Sequence, residues 1–242
     1  SHTDGAAMIA EIRQAGFDRV ELGYDLSRAL VPGVKEAVRR GRVTVVSVHS
    51  PCPIPTAASR GHPEWVTLAT QDHRERQAAV RYVGETLRFA AELGAGVIVV
   101  HAGRIRMRRF TPRLADLLRD GQGLALRYDK TLMKARRVRE RKAAPFRTAL
   151  SRSLEEVLPV AEECGVQLAL ENLPSIEALP VTDEMTELCR RFSGSPLRAW
   201  HDTGHGQVAA FLGFEQPAQA LRQLKPYLAG LHVHDAAPPM AD

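Results

Sequence analysis

Short apolar runs alternate with amphipathic stretches along the whole chain. Val20-Glu21-Leu22, Val43–His49, Val97–His101, Val166–Glu171, Leu197–Asp202 and Leu231–His234 concentrate β-branched and long aliphatic side chains and predict six strands. Between them, helical spacing predicts helices over Met8–Ala15, Leu30–Arg40, Gln71–Leu93, Asp183–Phe192 and Pro217–Leu224, the first three stopped by Gly16, Gly41 and Gly94. Ser50-Pro51-Cys52-Pro53-Ile54-Pro55 must be a loop, because proline lacks the backbone donor that a strand or helix interior needs. Strand, loop, helix, strand in this order predicts a parallel sheet.

The connection after Val97–His101 is far longer than the usual few residues. It predicts a helix from Asp129 to about Lys142, a break near Pro145, and a helix to Cys164 closed by Gly165, with Leu150, Leu154, Val157, Leu158 and Ala161 facing the core. Six strands, the first preceded by a helix, fit an α/β (β/α)8 TIM barrel whose first and last strands fall before Ser1 and after Asp242. Residues 1–242 read as a single barrel domain, with a long basic helical insertion at about 104–147.

The strands end in metal-binding residue types: His49, His101, Glu171-Asn172, His201-Asp202-Thr203-Gly204-His205 and His232-Val233-His234-Asp235. Parallel strands would deliver these side chains to one end of the sheet, where α/β barrels place their chemistry. Alternation points Gln167, Ala169 and Glu171 inward, and likewise His232 and His234, with Leu231 and Val233 outward. Buried ionisable groups are costly unless paired or metal-bound, and a mixed His and carboxylate set suits Zn, Mn, Co or Mg. His201 has the opposite parity to Asp202 and is expected to face a helix or to support a ligand. Glu21 points inward, where a structural pairing with an Arg competes with a functional role. His62 and His73 read as surface residues, and Cys52 as inert for want of an adjacent basic group.

Charge is distributed unevenly. Of the 33 Lys and Arg, fifteen lie in 104–147 against four Asp and Glu, so the remainder of this +5 chain is net negative. A solvated helical face explains such a segment as well as a site for nucleic acid or phosphate esters does. Three cysteines without a CxxC pair favour neither a disulfide framework nor a cysteine zinc site, and a reducing, cytoplasmic location is the expectation. No run of eighteen apolar residues suggests a membrane span. Homo-oligomerisation stays open.

On these strand ends, from Val20-Glu21-Leu22 through Val48-His49-Ser50-Pro51, Val100-His101-Ala102-Gly103, Leu170-Glu171-Asn172 and Trp200-His201-Asp202-Thr203-Gly204-His205 to His232-Val233-His234-Asp235, the chain resembles the xylose isomerase-like TIM-barrel superfamily. That superfamily includes sugar isomerases, ketose epimerases and type IV apurinic endonucleases, and the likeness is strongest to the sugar phosphate isomerase/epimerase group. The resemblance implies a divalent metal held by Glu171, Asp202 and His232, the last preferred over His234 because it stands three residues before Asp235. It further implies substrate or accessory-metal roles for His49, His101, His205 and His234, and a fourth ligand on a strand beyond Asp242. The implied reaction is proton transfer beside the carbonyl of a sugar or sugar phosphate through a metal-stabilised enediolate, with Glu171 as one proton carrier. Part of the basic connection would fold over the site as a lid, offering Arg104, Arg106, Arg108 and Arg109 to a phosphate.

Two other classes follow from the same residues. A zinc-dependent apurinic endonuclease would use the earlier histidines as further ligands, and Asp242 would open an Asp-x-His pair. Its DNA contacts, however, would have to come from several loops, and the loop after His49 is nearly uncharged. A non-catalytic barrel serving as a binding module is disfavoured by the intact ligand set.

Overall fold

The computed structural model describes residues 2–238. Six parallel strands, β1 (Arg19–Leu22), β2 (Thr44–His49), β3 (Val97–Val100), β4 (Gln167–Glu171), β5 (Leu197–Asp202) and β6 (Leu228–His232), form one sheet in sequence order. The helices are α1 (Gly5–Gln14), α2 (Val31–Arg39), α3 (His73–Glu92), α4 (Thr111–Arg119), α5 (Leu126–Cys164), α6 (Thr182–Arg191), α7 (Thr203–Phe211) and α8 (Pro217–Leu224). The order of consecutive parallel strands is that of a TIM barrel, and the sheet curls so far that His232 on β6 touches Glu21 on β1.

Local chemistry sets the helix ends. The Asp72 carboxylate accepts from the backbone N–H groups of Arg74 and Glu75 and starts α3. Gly165 closes α5 in the left-handed region, at φ 64°. Alternation along the strands then separates two apolar layers. Val48, Ile98, Val100, Leu168, Leu170 and Ala199 face the helices in the main core, while Val97, Val99, Ala169 and Trp200 fill the barrel interior. The interior layer is a floor beneath the strand ends.

Two expectations are corrected. No break occurs near Pro145: α5 runs unbroken for 39 residues, about 58 Å at 1.5 Å per residue. The carbonyl that Pro145 leaves without an intrahelical donor belongs to Arg141, which is exposed and open to water, while buried Ala143 and Phe146 on either side hold the axis to the barrel. The last strand is Leu228–His232, not Leu231–His234. Gly230 is required inside it because a Cβ there would lie 2.2 Å from the Trp200 ring. His234 is therefore past the strand, and Leu231 and Val233 are exposed rather than covered by a helix among the described residues.

The basic connection contains a helix that hydrophobic spacing did not reveal, α4, which packs with the first half of α5 and with α7 through Leu114, Leu117, Tyr128, Val208 and Leu212. Glu177 caps it, accepting from the N–H groups of Phe110 and Thr111 and from the Thr111 hydroxyl. Arg139 ties the first half of α5 to the loop after β4, donating to the Ile176 and Ala178 carbonyls and to both oxygens of Glu184. No helix is long and apolar enough to cross a membrane among the described residues.

Candidate metal centre

Glu171, at the end of β4, is buried at 2% exposure, and both its oxygens meet histidine nitrogens. Oε2 lies 3.1 Å from His49 Nε2 and 3.0 Å from His101 Nε2. Oε1 lies 3.1 Å from His232 Nδ1 and 3.5 Å from His205 Nδ1. No Lys or Arg approaches it among the described residues. Burial alone would raise its pKa, but hydrogen bonds from His101, His232 and His49 outweigh that and hold it far below the usual carboxylate range.

Asp202 divides its two oxygens between fold and site. Oδ1 accepts from the His205 N–H at 2.7 Å and so caps α7, the second helix the sequence left unmarked. Oδ2 faces His234 Nδ1 at 3.3 Å, His232 Nδ1 at 3.7 Å and His205 Nδ1 at 3.8 Å. Gly204 and Gly206 are poor helix formers inside α7, and packing explains both: a Cβ would meet the His234 ring at 2.0 Å and the His201 ring at 3.1 Å.

The structure thus gathers His49, His101, Glu171, Asp202, His205, His232 and His234 at one end of the barrel. His49, His101 and Glu171 form one group of three whose donor atoms lie within 4.8 Å of one another; Glu171, Asp202 and His232 form another, sharing Glu171. A buried carboxylate contacted only by imidazoles, with a second carboxylate alongside, has the donor chemistry of a divalent-metal site. The residues fit the implied ion.

Around this set, the outcome is mixed. Glu21 pairs not with an arginine but with the Ser47 hydroxyl and with His232 Nε2, 2.9 Å away. Burial opposes ionisation of Glu21, and those partners overcome it and lower its pKa. Burial also works against protonation of His232, yet its bonds to Glu171 and Glu21 raise its pKa to about 10. His205 moves the other way, lowered by burial, and its Nδ1 lies 2.8 Å from the Asn172 carbonyl. His201 is buried at 1% on the other side of the strand, against α7. His62 and His73 are exposed. Cys52 is buried, and desolvation, reinforced by Asp25 and Glu21, raises its thiol pKa well above normal.

Arg104 does not stand free for a phosphate. Its Nε and Nη2 donate to the two oxygens of Glu64 at 2.5 and 2.7 Å, and Nη1 donates to the Ser175 hydroxyl. Arg106, Arg108 and Arg109 are exposed without ion-pair partners among the described residues, and Arg108 lines a groove of about 500 Å³ with Arg113, Arg127, Lys130 and Lys134. Asp242 lies outside the described residues. Glu64, which pairs with Arg104 and faces His101, is a functional candidate that nothing in the sequence marked, since it sits in a loop without periodicity.

The fold is shared with known proteins. A model of the xylose isomerase-like TIM barrel family matches residues 9–242, and the chain belongs to that family. No curated protein sequence matches it significantly. Among solved structures, a D-tagatose 3-epimerase-like protein superposes with a TM-score of 0.66 at 19% identity, over 97% of this chain and 75% of that one. The 3-keto-D-glucoside 4-epimerase of E. coli gives 0.65 at 18% identity, over 96% and 74%. D-psicose 3-epimerase from Clostridium cellulolyticum gives 0.61 at 16%, over 96% and 69%.

Proposed function

We propose that the protein is a divalent-metal-dependent isomerase or epimerase of a sugar or sugar phosphate. The observation that carries this reading is the Glu171 carboxylate, buried and ringed by imidazoles, with Asp202 and His232 beside it. Family membership and the sugar epimerases of the same fold support it. Glu171, Asp202 and His232 would hold the ion; when bound, it polarises a substrate carbonyl and acidifies the adjoining C–H bond.

The chain's own residues then do the following. Glu171 is the buried carboxylate at the middle of the centre, and its assigned part is to accept the proton taken from carbon and to return it. The Glu21 carboxylate faces His232 Nε2 and orients the ring so that Nδ1 points at Glu171. The neutral His205 donates its Nδ1 proton to the Asn172 carbonyl, which leaves Nε2 as an acceptor for a substrate hydroxyl. His234, half exposed beside Asp202, stands at the open side of the centre. Trp200 and the interior valines close the site from below.

The test is exchange of a carbon-bound ketose proton with deuterated solvent, in protein carrying about one equivalent of Mn, Co, Mg or Zn. Exchange that is lost in Glu171→Gln supports the proposal. Binding of less than about a tenth of an equivalent of any divalent metal after metal-supplemented expression would refute it and leave a binding module.

One observation favours a second reading. The His49, His101 and Glu171 group shares its carboxylate with the first group, as a multi-metal phosphodiesterase of the apurinic endonuclease type requires. Metal-dependent nicking of an abasic duplex, abolished in Glu171→Gln, would replace the sugar reading.

A further inference from the structure

We infer that Glu64 is a positioning residue for the metal centre: locked by Arg104, it fixes the ring of His101 so that Nε2 faces Glu171. The inference rests on the proposed function, since it concerns the same centre. His101 is buried, with its side chain 10% exposed, and its Nδ1 has no hydrogen-bond partner. A buried imidazole nitrogen without a partner is costly, whether it carries the proton or the lone pair. Glu64 supplies the nearest carboxylate oxygen, 3.8 Å away, close enough for electrostatic attraction and within a small rotation of a hydrogen bond. In the His49, His101 and Glu171 group, an ion would take His101 Nε2 and leave the proton on Nδ1, where a carboxylate such as Glu64 fixes tautomer and orientation.

Glu64 belongs to the long loop after β2, so its placement needs an anchor. The bidentate Arg104 pair provides one, and Ser175 from the loop after β4 holds the far side of the same guanidinium. Backbone bonds stitch the three loops together: Ala69 N–H to Ala102, Ile105 N–H to Glu177 and Leu179 N–H to Gly103. Gly103 adopts φ 129° with Thr67 against it, a conformation closed to a residue with a side chain. The carboxylate is thus aimed by a rigid rim.

The experiment has two readouts on the whole chain. Two-bond ¹H–¹⁵N spectra of the metal-free protein report the tautomer and exchange broadening of His101, and competition with a chromophoric chelator reports Zn²⁺ affinity. Expected are a single sharp His101 state in the wild type, a broadened or altered one in Glu64→Ala, and Zn²⁺ binding about 10–100-fold weaker in that variant. Glu64→Gln, which keeps an acceptor oxygen, restores most of both, while Arg104→Met loses part of each. Unchanged His101 signals and affinity in folded Glu64→Ala overturn the inference. A wild type that binds no Zn²⁺, Mn²⁺ or Co²⁺ overturns the proposed function instead, while the spectra still decide the role of Glu64.

Discussion

The strand-end centre and the basic wall built by α4 and the first half of α5 carry charge in opposite ways. At the centre, two carboxylates are buried and the ionisable side chains that meet them are histidines, which ligate a metal in their neutral form. On the wall, Arg127, Lys130, Lys134 and Arg137 line a solvent-facing stripe of α5 without a single ion pair among the described residues. Arg139 and Arg136 turn back, the first to Glu184 and two carbonyls, the second to the Gly213 carbonyl. Charge density along the sequence therefore misleads about importance. The sparse charges at the strand ends are desolvated and mutually dependent, whereas the dense ones on the wall are mostly hydrated and independent.

The sharpest way to break this contrast is Glu171→Gln. It keeps the volume and removes the charge shared by both ligand groups, and proton exchange into substrate should fall by about 10³-fold or more, read by mass spectrometry. A loss under about tenfold would show that the centre does not depend on that carboxylate. Next comes the one wall arginine that behaves like the centre. Arg139→Ala removes the bidentate partner of the Glu184 carboxylate, only 8% exposed, leaving it the Val181 N–H and Arg147, and should destabilise the fold by about 2 kcal/mol in urea denaturation. A change under about 1 kcal/mol would mean that the Val181 N–H and Arg147 suffice to hold Glu184.

A pH series sharpens the comparison without mutation. Because the folded pKa of His232 stands above the roughly 6.5 of an unfolded histidine, its ion pairs stabilise the metal-free fold fully below pH about 6.5. That contribution is lost as pH rises towards about 10. The Tm of metal-free protein should accordingly fall over this window, and divalent metal should remove the slope by taking the proton's place. A flat profile in the metal-free protein would contradict the Glu21–His232–Glu171 chain. The smallest effect is expected from the wall: Arg127→Gln, Lys130→Gln, Lys134→Gln and Arg137→Gln should each shift stability by less than about 0.5 kcal/mol.

Much of the molecule was legible from side-chain periodicity, and the failures have physical causes. The strands and the long helices announced themselves because each buries one face, so apolar residues recur at the spacing of the element. α4 and α7 did not, since Glu177 and Asp202 cap them and α7 carries two glycines that packing requires. Pro145 predicted a break because the sequence does not show that Arg141, whose carbonyl it leaves without a donor, would be exposed.

The sequence by itself determined the α/β order, the inward parity of Glu171 and the strand-end placement of the histidines, because these depend on spacing along one chain. Tertiary structure alone decided that the last strand stops at His232, that Glu21 meets a histidine rather than an arginine, and that Arg104 is spent on Glu64. Each of those is a contact between residues 30 or more positions apart. Such contacts arise only when the curled sheet and its loops bring side chains within reach, and charge then selects the partner that burial leaves nearest.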